Sequence, residues 1–264
     1  MKLHAQITKW IKDYAKKAKV DTLVVGISGG IDSSVVSALC AKTGMKTIVV
    51  QMPIRQDKKL DKRSSLHADW LLGRFNNVTH MAMDLTPVFN AFEKKVDPFC
   101  GIEDDTYDTY KLASANSRAR LRMMTLYQIA QCHNGIVVGT GNKVEDFGVG
   151  FFTKYGDGGV DISPIADLMK SEVRLLAAYV KVPQSILDAK PTDGLFGDDR
   201  SDEDQIGANY DELEWAMNQM ALGKKVTDFS GREAHVFTLY DRLHLINQHK
   251  MQPIPVCAIP EGLK

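Results

Sequence analysis

The sequence predicts an α/β protein: a doubly wound, open parallel sheet with helices on both faces. Three observations carry that prediction. Short runs of strand length recur at residues 23–27, 46–52, 78–83 and 135–139, the first apolar throughout, and stretches with helical spacing separate them. Two of the runs end in glycine turns that open into a helix start. No internal repeat and no low-complexity linker divides the 264 residues, a length that fits one large α/β domain.

The elements follow in order. Residues 2–19 place Leu3, Ile7, Trp10, Ile11, Tyr14 and Ala18 on one face and lysines on the other, an amphipathic helix against the body. The run 23–27 is apolar throughout, as a strand covered on both faces must be. Ser33 to Leu39 has helical spacing. Residues 46–52 form a second buried strand, stopped by Pro53, and 57–75 a helix. Residues 78–83 make the third strand, and Thr86-Pro87 opens a helix with proline in the first turn, where it is tolerated. Residues 97–108 are acidic and turn-rich, and a long helix from about 110 to 132 leads into the fourth strand. Three glycines in four residues at 156–159, flanked by aromatics and Lys154, describe a loop able to fold over a ligand. Residues 193–204 carry six acids and one arginine, a solvated run by composition. Asp202 with Gln205 has capping-box spacing for the helix carrying Tyr210, Leu213, Trp215, Met217 and Met220.

Bulk composition narrows the function classes. Lys+Arg and Asp+Glu are both 33, so the basic excess of a dedicated nucleic-acid binder is missing. No apolar run approaches a membrane span, and the N-terminus lacks the apolar core of a signal peptide. Cys40, Cys100, Cys132 and Cys257 are scattered without Cys-x-x-Cys spacing, which suggests neither a zinc site nor a disulfide framework. The expectation is a soluble, cytoplasmic protein with no nucleic-acid or membrane partner.

The chemistry concentrates in the first glycine turn, Gly26-Ile27-Ser28-Gly29-Gly30-Ile31-Asp32-Ser33. A strand, a glycine turn and a helix N-terminus make an anion site, with free N–H groups and the helix dipole aimed at whatever sits in the turn. Ser28, Ser33 and Ser34 add hydroxyls. The turn has no Walker A lysine and carries Asp32, whose carboxylate repels phosphate unless a cation lies between them. A pyrophosphate group bridged by Mg²⁺ meets both conditions. The plainer alternative is a turn with Asp32 or Ser33 as N-cap. The fourth strand ends in a similar turn, Gly139-Thr140-Gly141-Asn142-Lys143-Val144-Glu145, which sets Glu145 on the same side of the sheet as Asp32. Glu145 reads equally as a second Mg²⁺ carboxylate or as a first-turn acid complementing the helix dipole.

Ser-Gly-Gly-x-Asp-Ser resembles the PP-loop of the ATP pyrophosphatases, whose fold is adenine nucleotide alpha hydrolase-like. Further motifs narrow the resemblance to NAD synthetase: Gly-Thr-x-x-x-x-Glu at 139–145, Gly-Phe-Phe-Thr-Lys-Tyr-Gly-Asp-Gly-Gly-x-Asp-Ile at 150–162, Lys190-Pro-Thr-Asp and His249-Lys250. They span nearly the whole chain. The departures are Gly141-Asn142-Lys143 where some branches have Asp-His, and an acidic segment without the usual prolines.

The resemblance implies ATP-dependent amidation of deamido-NAD to NAD through an adenylated intermediate, releasing pyrophosphate and then AMP. It implies that residues 26–33, Thr140, Lys170 and Thr192 contact ATP, and that Asp32 and Glu145 hold Mg²⁺. Arg120, Lys154, Asp161, His249 and Lys250 would contact deamido-NAD, and the protein would be a homodimer. Several of these residues have plainer readings. Arg118 or Arg122 rivals Arg120, Lys170 reads as a solvated lysine at a helix end, and His249-Lys250 as helix C-terminal cations. No protein nucleophile is needed for this chemistry. About twenty residues precede the first strand, too few for a fused glutamine amidase domain, so free ammonia is the expected nitrogen donor. The competing classes are another PP-loop ligase and a nucleotide-binding sensor without turnover.

Overall fold

Strand side chains alternate between two apolar layers, and that alternation sets the architecture. In the computed structural model, which describes residues 2–101, 107–189 and 202–264, the elements run α1 (Lys2–Lys17), β1 (Thr22–Gly26), α2 (Ile31–Lys42), β2 (Lys46–Gln51), α3 (Lys58–Leu72), β3 (Val78–Ala82), α4 (Thr86–Val96), α5 (Tyr107–Cys132), β4 (Gly135–Val137), α6 (Lys170–Val180), α7 (Gln184–Leu187), α8 (Asp202–Ile206), α9 (Tyr210–Ala221) and α10 (Gly231–Met251). The sheet order is β3-β2-β1-β4 and every pairing is parallel. Leu23, Val25, Val49 and Ile136 point into the layer formed with α1, α2, α3 and α6. Val24, Ile48, Val50 and Val137 point into the layer formed with α4 and α5. The predicted doubly wound sheet is the observed one, with strand limits within two residues of those expected.

Three local differences have physical causes. On α1 the buried seam is Ile7, Ile11 and Ala15, while Trp10 and Tyr14 stay outside and pack on each other, ring centroids 5.9 Å apart. The helix expected from the Asp202/Gln205 spacing is broken at Gly207 (φ +91°). The capping box of α9 is instead Asn209 with Glu212, each side chain accepting from the other's backbone N–H. The segment after β4 is a seven-residue π-helix (Lys143–Val149), which sequence spacing does not distinguish from an α-helix start.

Behind the first glycine turn, α2 and α3 share one buried polar contact. Ser37 Oγ donates to Ser33 O at 2.7 Å and therefore accepts from His67 Nε2 at 2.8 Å. His67 Nδ1 is buried without a partner, and burial drops the imidazole from its ordinary 6.5 to about 4. A base depressed in the folded state contributes stability above its unfolded pKa and loses it as pH falls through the folded one. Folding stability should therefore decline between pH 6.5 and 4 by on the order of 3 kcal/mol from this residue. Urea unfolding of the wild type and of His67→Gln across that range checks it: the gap between the two should narrow on acidification by that amount.

Candidate active site

Both glycine turns open at the carboxyl ends of adjacent strands β1 and β4, and between them lies a cleft of about 780 Å³. Residues 26–33 line it, as do Thr140, Glu145, Lys170 and Lys250. The first turn is shaped by its own hydroxyls. Ser33 Oγ and Ser34 Oγ donate to Gly30 O at 3.1 and 2.8 Å, and Ser28 Oγ accepts from Gly30 N at 3.2 Å. These serines thus fix the loop, and the first-turn N–H groups of α2, which have no intrahelical partner, are the donors it presents. The competing N-cap reading does not hold: the N-cap of α2 is Gly30, with no side-chain cap. Gly29 sits at φ +80°, and a Cβ there would lie 2.8 Å from Leu60 O and 2.9 Å from Ser64 N. Only glycine meets both conditions, so the turn rests directly on α3.

The floor of the cleft is a buried ion triad. Lys170 Nζ, at the first residue of α6, donates to Asp32 Oδ2 at 2.7 Å and Glu145 Oε1 at 2.8 Å. Their side chains are 3%, 18% and 16% exposed, which puts all three charges out of most of the solvent. Lys170 is therefore not the solvated helix-end lysine of the plainer reading. Burial pushes the Asp32 carboxyl up, Lys170 pulls it back and Glu145 adds to the rise. Burial acts on Glu145 too, but Lys170 and the hydroxyl of Tyr210, donating at 2.5 Å, hold it below the ordinary glutamate range. Burial also opposes the charge on Lys170, and the two carboxylates outweigh it. Glu145 is thus the more firmly anionic of the two acids.

Asn142 joins the two turns. Its Oδ1 accepts from Val144 N and Glu145 N at 3.1 Å, capping the π-helix, while its Nδ2 donates to Asp32 Oδ1 at 3.1 Å. The widened π turn leaves Glu145 and the adjacent Asp146 both on the cleft wall. Burial, then the neighbouring Glu145 and Asp157, push the Asp146 carboxyl well up. A Cβ on Gly141 would lie 1.8 Å from an Asp146 oxygen, so the glycine of the second turn makes room for that acid.

Asp32 and Glu145 reach one nitrogen, so their oxygens are spaced to share one cation. Among the described residues no group of three or more His, Cys, Asp or Glu could hold a metal. Two carboxylates, completed by phosphate oxygens and water, are the donor set that Mg²⁺ takes. The residues fit the ion.

The positions expected on deamido-NAD divide. Lys250 lines the cleft, its Nζ donating to Gly150 O and Phe152 O at 2.8 and 3.0 Å. Arg120, Lys154 and His249 are outside the cleft wall and joined to one another: Arg120 Nε donates to Lys154 O and Lys154 Nζ to His249 O. Asp161 accepts from Val137 N at 2.8 Å and from the Tyr127 hydroxyl at 3.1 Å. Of the two rivals to Arg120, Arg122 does line the cleft; its guanidinium donates to Met52 O and Gln56 Oε1, and burial lowers it to about 10. Thr192, Lys190 and most of the acidic segment lie outside the described residues. The segment 150–162 has no regular element, as expected, but it is fastened. Thr153 N donates to Asp157 Oδ1 at 2.9 Å and Thr153 Oγ1 to Asn116 at 2.6 Å. Sequence reasoning missed Asn142, Tyr210 and Asp146. For Asn142 a signal existed: an asparagine three residues before a glutamate at a strand end is an N-cap pattern.

Comparison with known proteins places this architecture. Residues 3–254 match the NAD synthase family. The NH(3)-dependent NAD(+) synthetase of Mesoplasma florum is 36% identical over 245 residues, covering 92% of this chain and 91% of that protein. The structure of NMN synthetase from Francisella tularensis superposes with a TM-score of 0.81 at 31% identity, covering 98% of both chains. An NH3-dependent NAD synthetase from Campylobacter jejuni shares the fold at a TM-score of 0.75 and 21% identity, covering 97% and 98%. The chain belongs to the NAD synthase family.

Proposed function

We propose that this chain is an ammonia-dependent NAD synthetase, a carbon–nitrogen ligase that amidates deamido-NAD at the expense of ATP. The single observation that carries the reading is the meeting of the PP-loop, Asp32, Glu145 and Lys170 in one cleft. In the first half-reaction the nicotinate carboxylate attacks the α-phosphorus of ATP and pyrophosphate leaves. In the second, ammonia attacks the acyl carbon of the adenylate, loses a proton, and AMP leaves as the amide forms. Both halves bring anions together, so catalysis rests on alignment and charge cancellation. The first-turn amides of α2, at residues 31–33, and the α2 dipole hold the phosphates, and Thr140 borders the same cleft. Asp32 and Glu145 would hold Mg²⁺, which supplies charge neutralisation between phosphates when bound. Lys170 keeps the two carboxylates at a fixed spacing.

The 264 residues are read as one synthetase domain that works in the cytoplasm as a homodimer. The near full-length match to relatives named NH(3)-dependent supports ammonia as donor. No helix among the described residues is long and apolar enough to cross a membrane.

One observation favours a second substrate. The Francisella relative is named for making NMN, and Arg120, Lys154 and His249, expected on the dinucleotide, are outside the cleft and tied to each other. The same chemistry on the mononucleotide acid needs only the inner cleft. The test is incubation with ATP, Mg²⁺ and ammonium plus either deamido-NAD or nicotinate mononucleotide, assaying AMP and the amide. NAD and AMP formed only when every component is present is the expected result. Amide from the mononucleotide alone would move the assignment to NMN, and ATP binding without AMP would leave a sensor.

A further inference from the structure

We infer that Arg63 is a further phosphate-binding residue of the cleft, one that grips the outer phosphates of ATP, the pair that departs as pyrophosphate. The inference rests on the reading of the cleft as an ATP site. It starts from a position: a Cβ on Gly29 would lie 3.1 Å from Arg63 Cβ, so the glycine turn is seated on the turn of α3 that carries this arginine. Arg63 lines the same cleft as Ser28, Gly29 and Gly30. Its Nε is buried and has no hydrogen-bond partner, and among the described residues no ion pair holds it.

Other arginines of the structure show what satisfaction looks like. Arg55 Nε donates to Asn90, Arg122 Nε to Met52 O and Arg232 Nε to Glu212. A buried guanidinium N–H left unfilled is costly, and an anion in the cleft would fill it. Charge accounting gives the same answer. The loop has no Walker lysine, Lys170 is committed to Asp32 and Glu145, and Lys154 is outside the cleft wall. Arg122, Arg174, Arg242 and Lys250 also line the cleft, Arg122 held by Met52 O and Gln56 and Lys250 by Gly150 O and Phe152 O; Arg63 is the one carried on the helix turn under Gly29. Its Nε–H and a neighbouring Nη–H form the parallel fork that matches two phosphate oxygens, which a lysine at this position would not.

The experiment is calorimetric titration of the wild type, Arg63→Met and Arg63→Lys with inorganic pyrophosphate, ATP and AMP in magnesium buffer. Arg63→Met should bind pyrophosphate and ATP about 10- to 100-fold more weakly, while AMP binding stays within about twofold. Arg63→Lys should recover part of the loss. Undiminished pyrophosphate affinity in Arg63→Met would overturn the inference and leave the ATP reading standing. An equal loss for AMP would overturn it as well, marking Arg63 as a prop for the loop. Wild-type protein that bound neither ATP nor pyrophosphate would bring down the ATP reading and Arg63 with it.

Discussion

Asp32→Ala should abolish turnover while the protein stays folded. Asp32 is where the glycine turn meets the triad, and its carboxylate reaches Lys170 and Asn142 at once. Removing it takes away half of the carboxylate pair fitted for Mg²⁺, so negative charge developing on the phosphates loses its counterweight. Losing one such electrostatic contact costs about 100- to 1,000-fold in kcat; losing a carboxylate that would hold the metal should meet or exceed the upper figure. The fold survives because Lys170 keeps Glu145 as its counter-ion, itself held by Tyr210. Steady-state release of AMP together with a thermal melt checks both halves. Full activity in Asp32→Ala would end the metal role; a collapsed melt would show the residue to be structural first.

Lys170→Met should have the larger effect on stability. The wild-type triad is one buried cation between two buried carboxylates, and taking out the cation leaves like charges facing each other with little water. Breaking a buried pair in this way costs about 3–5 kcal/mol. The pH dependence has a definite sign. Without Lys170, the folded-state pKa of the acid pair rises above its unfolded value, so the variant is least disturbed at low pH and loses stability as pH rises. The difference between wild type and Lys170→Met in urea unfolding should therefore grow from pH 5 to 8. Millimolar Mg²⁺ should recover part of it, since a divalent cation on the carboxylates would offset their repulsion. A difference under about 1 kcal/mol at pH 8 would contradict the buried-charge account.

Much of the fold could be read from the chain because its elements announce themselves locally. A strand covered on both faces must be apolar through its centre, which residues 23–27 and 48–50 are. A glycine turn followed by a helical pattern is likewise a local signal, and it located both turns of the cleft. The less legible features depend on partners far along the chain. Lys170 is written as an ordinary helix-end lysine; only the packing of α6 against α2 shows it to be buried between residues 138 and 25 positions away. Tyr210 and Arg63 carry no motif at all. The π-helix after β4 hides because i→i+5 bonding leaves no mark in composition. Trp10 and Tyr14 mislead for the opposite reason: large apolar side chains on a helix flank are often left at the surface.

Asn142 has one further consequence. A single amide clasps Asp32 on one side and the start of the π-helix on the other, across 110 positions of sequence. The early and middle thirds of the chain are riveted there, so neither acid can be repositioned without dragging its counterpart. Substitutions that adjust the grip on one substrate are thereby felt on the other, and the pair of turns must drift through evolution as a single working part.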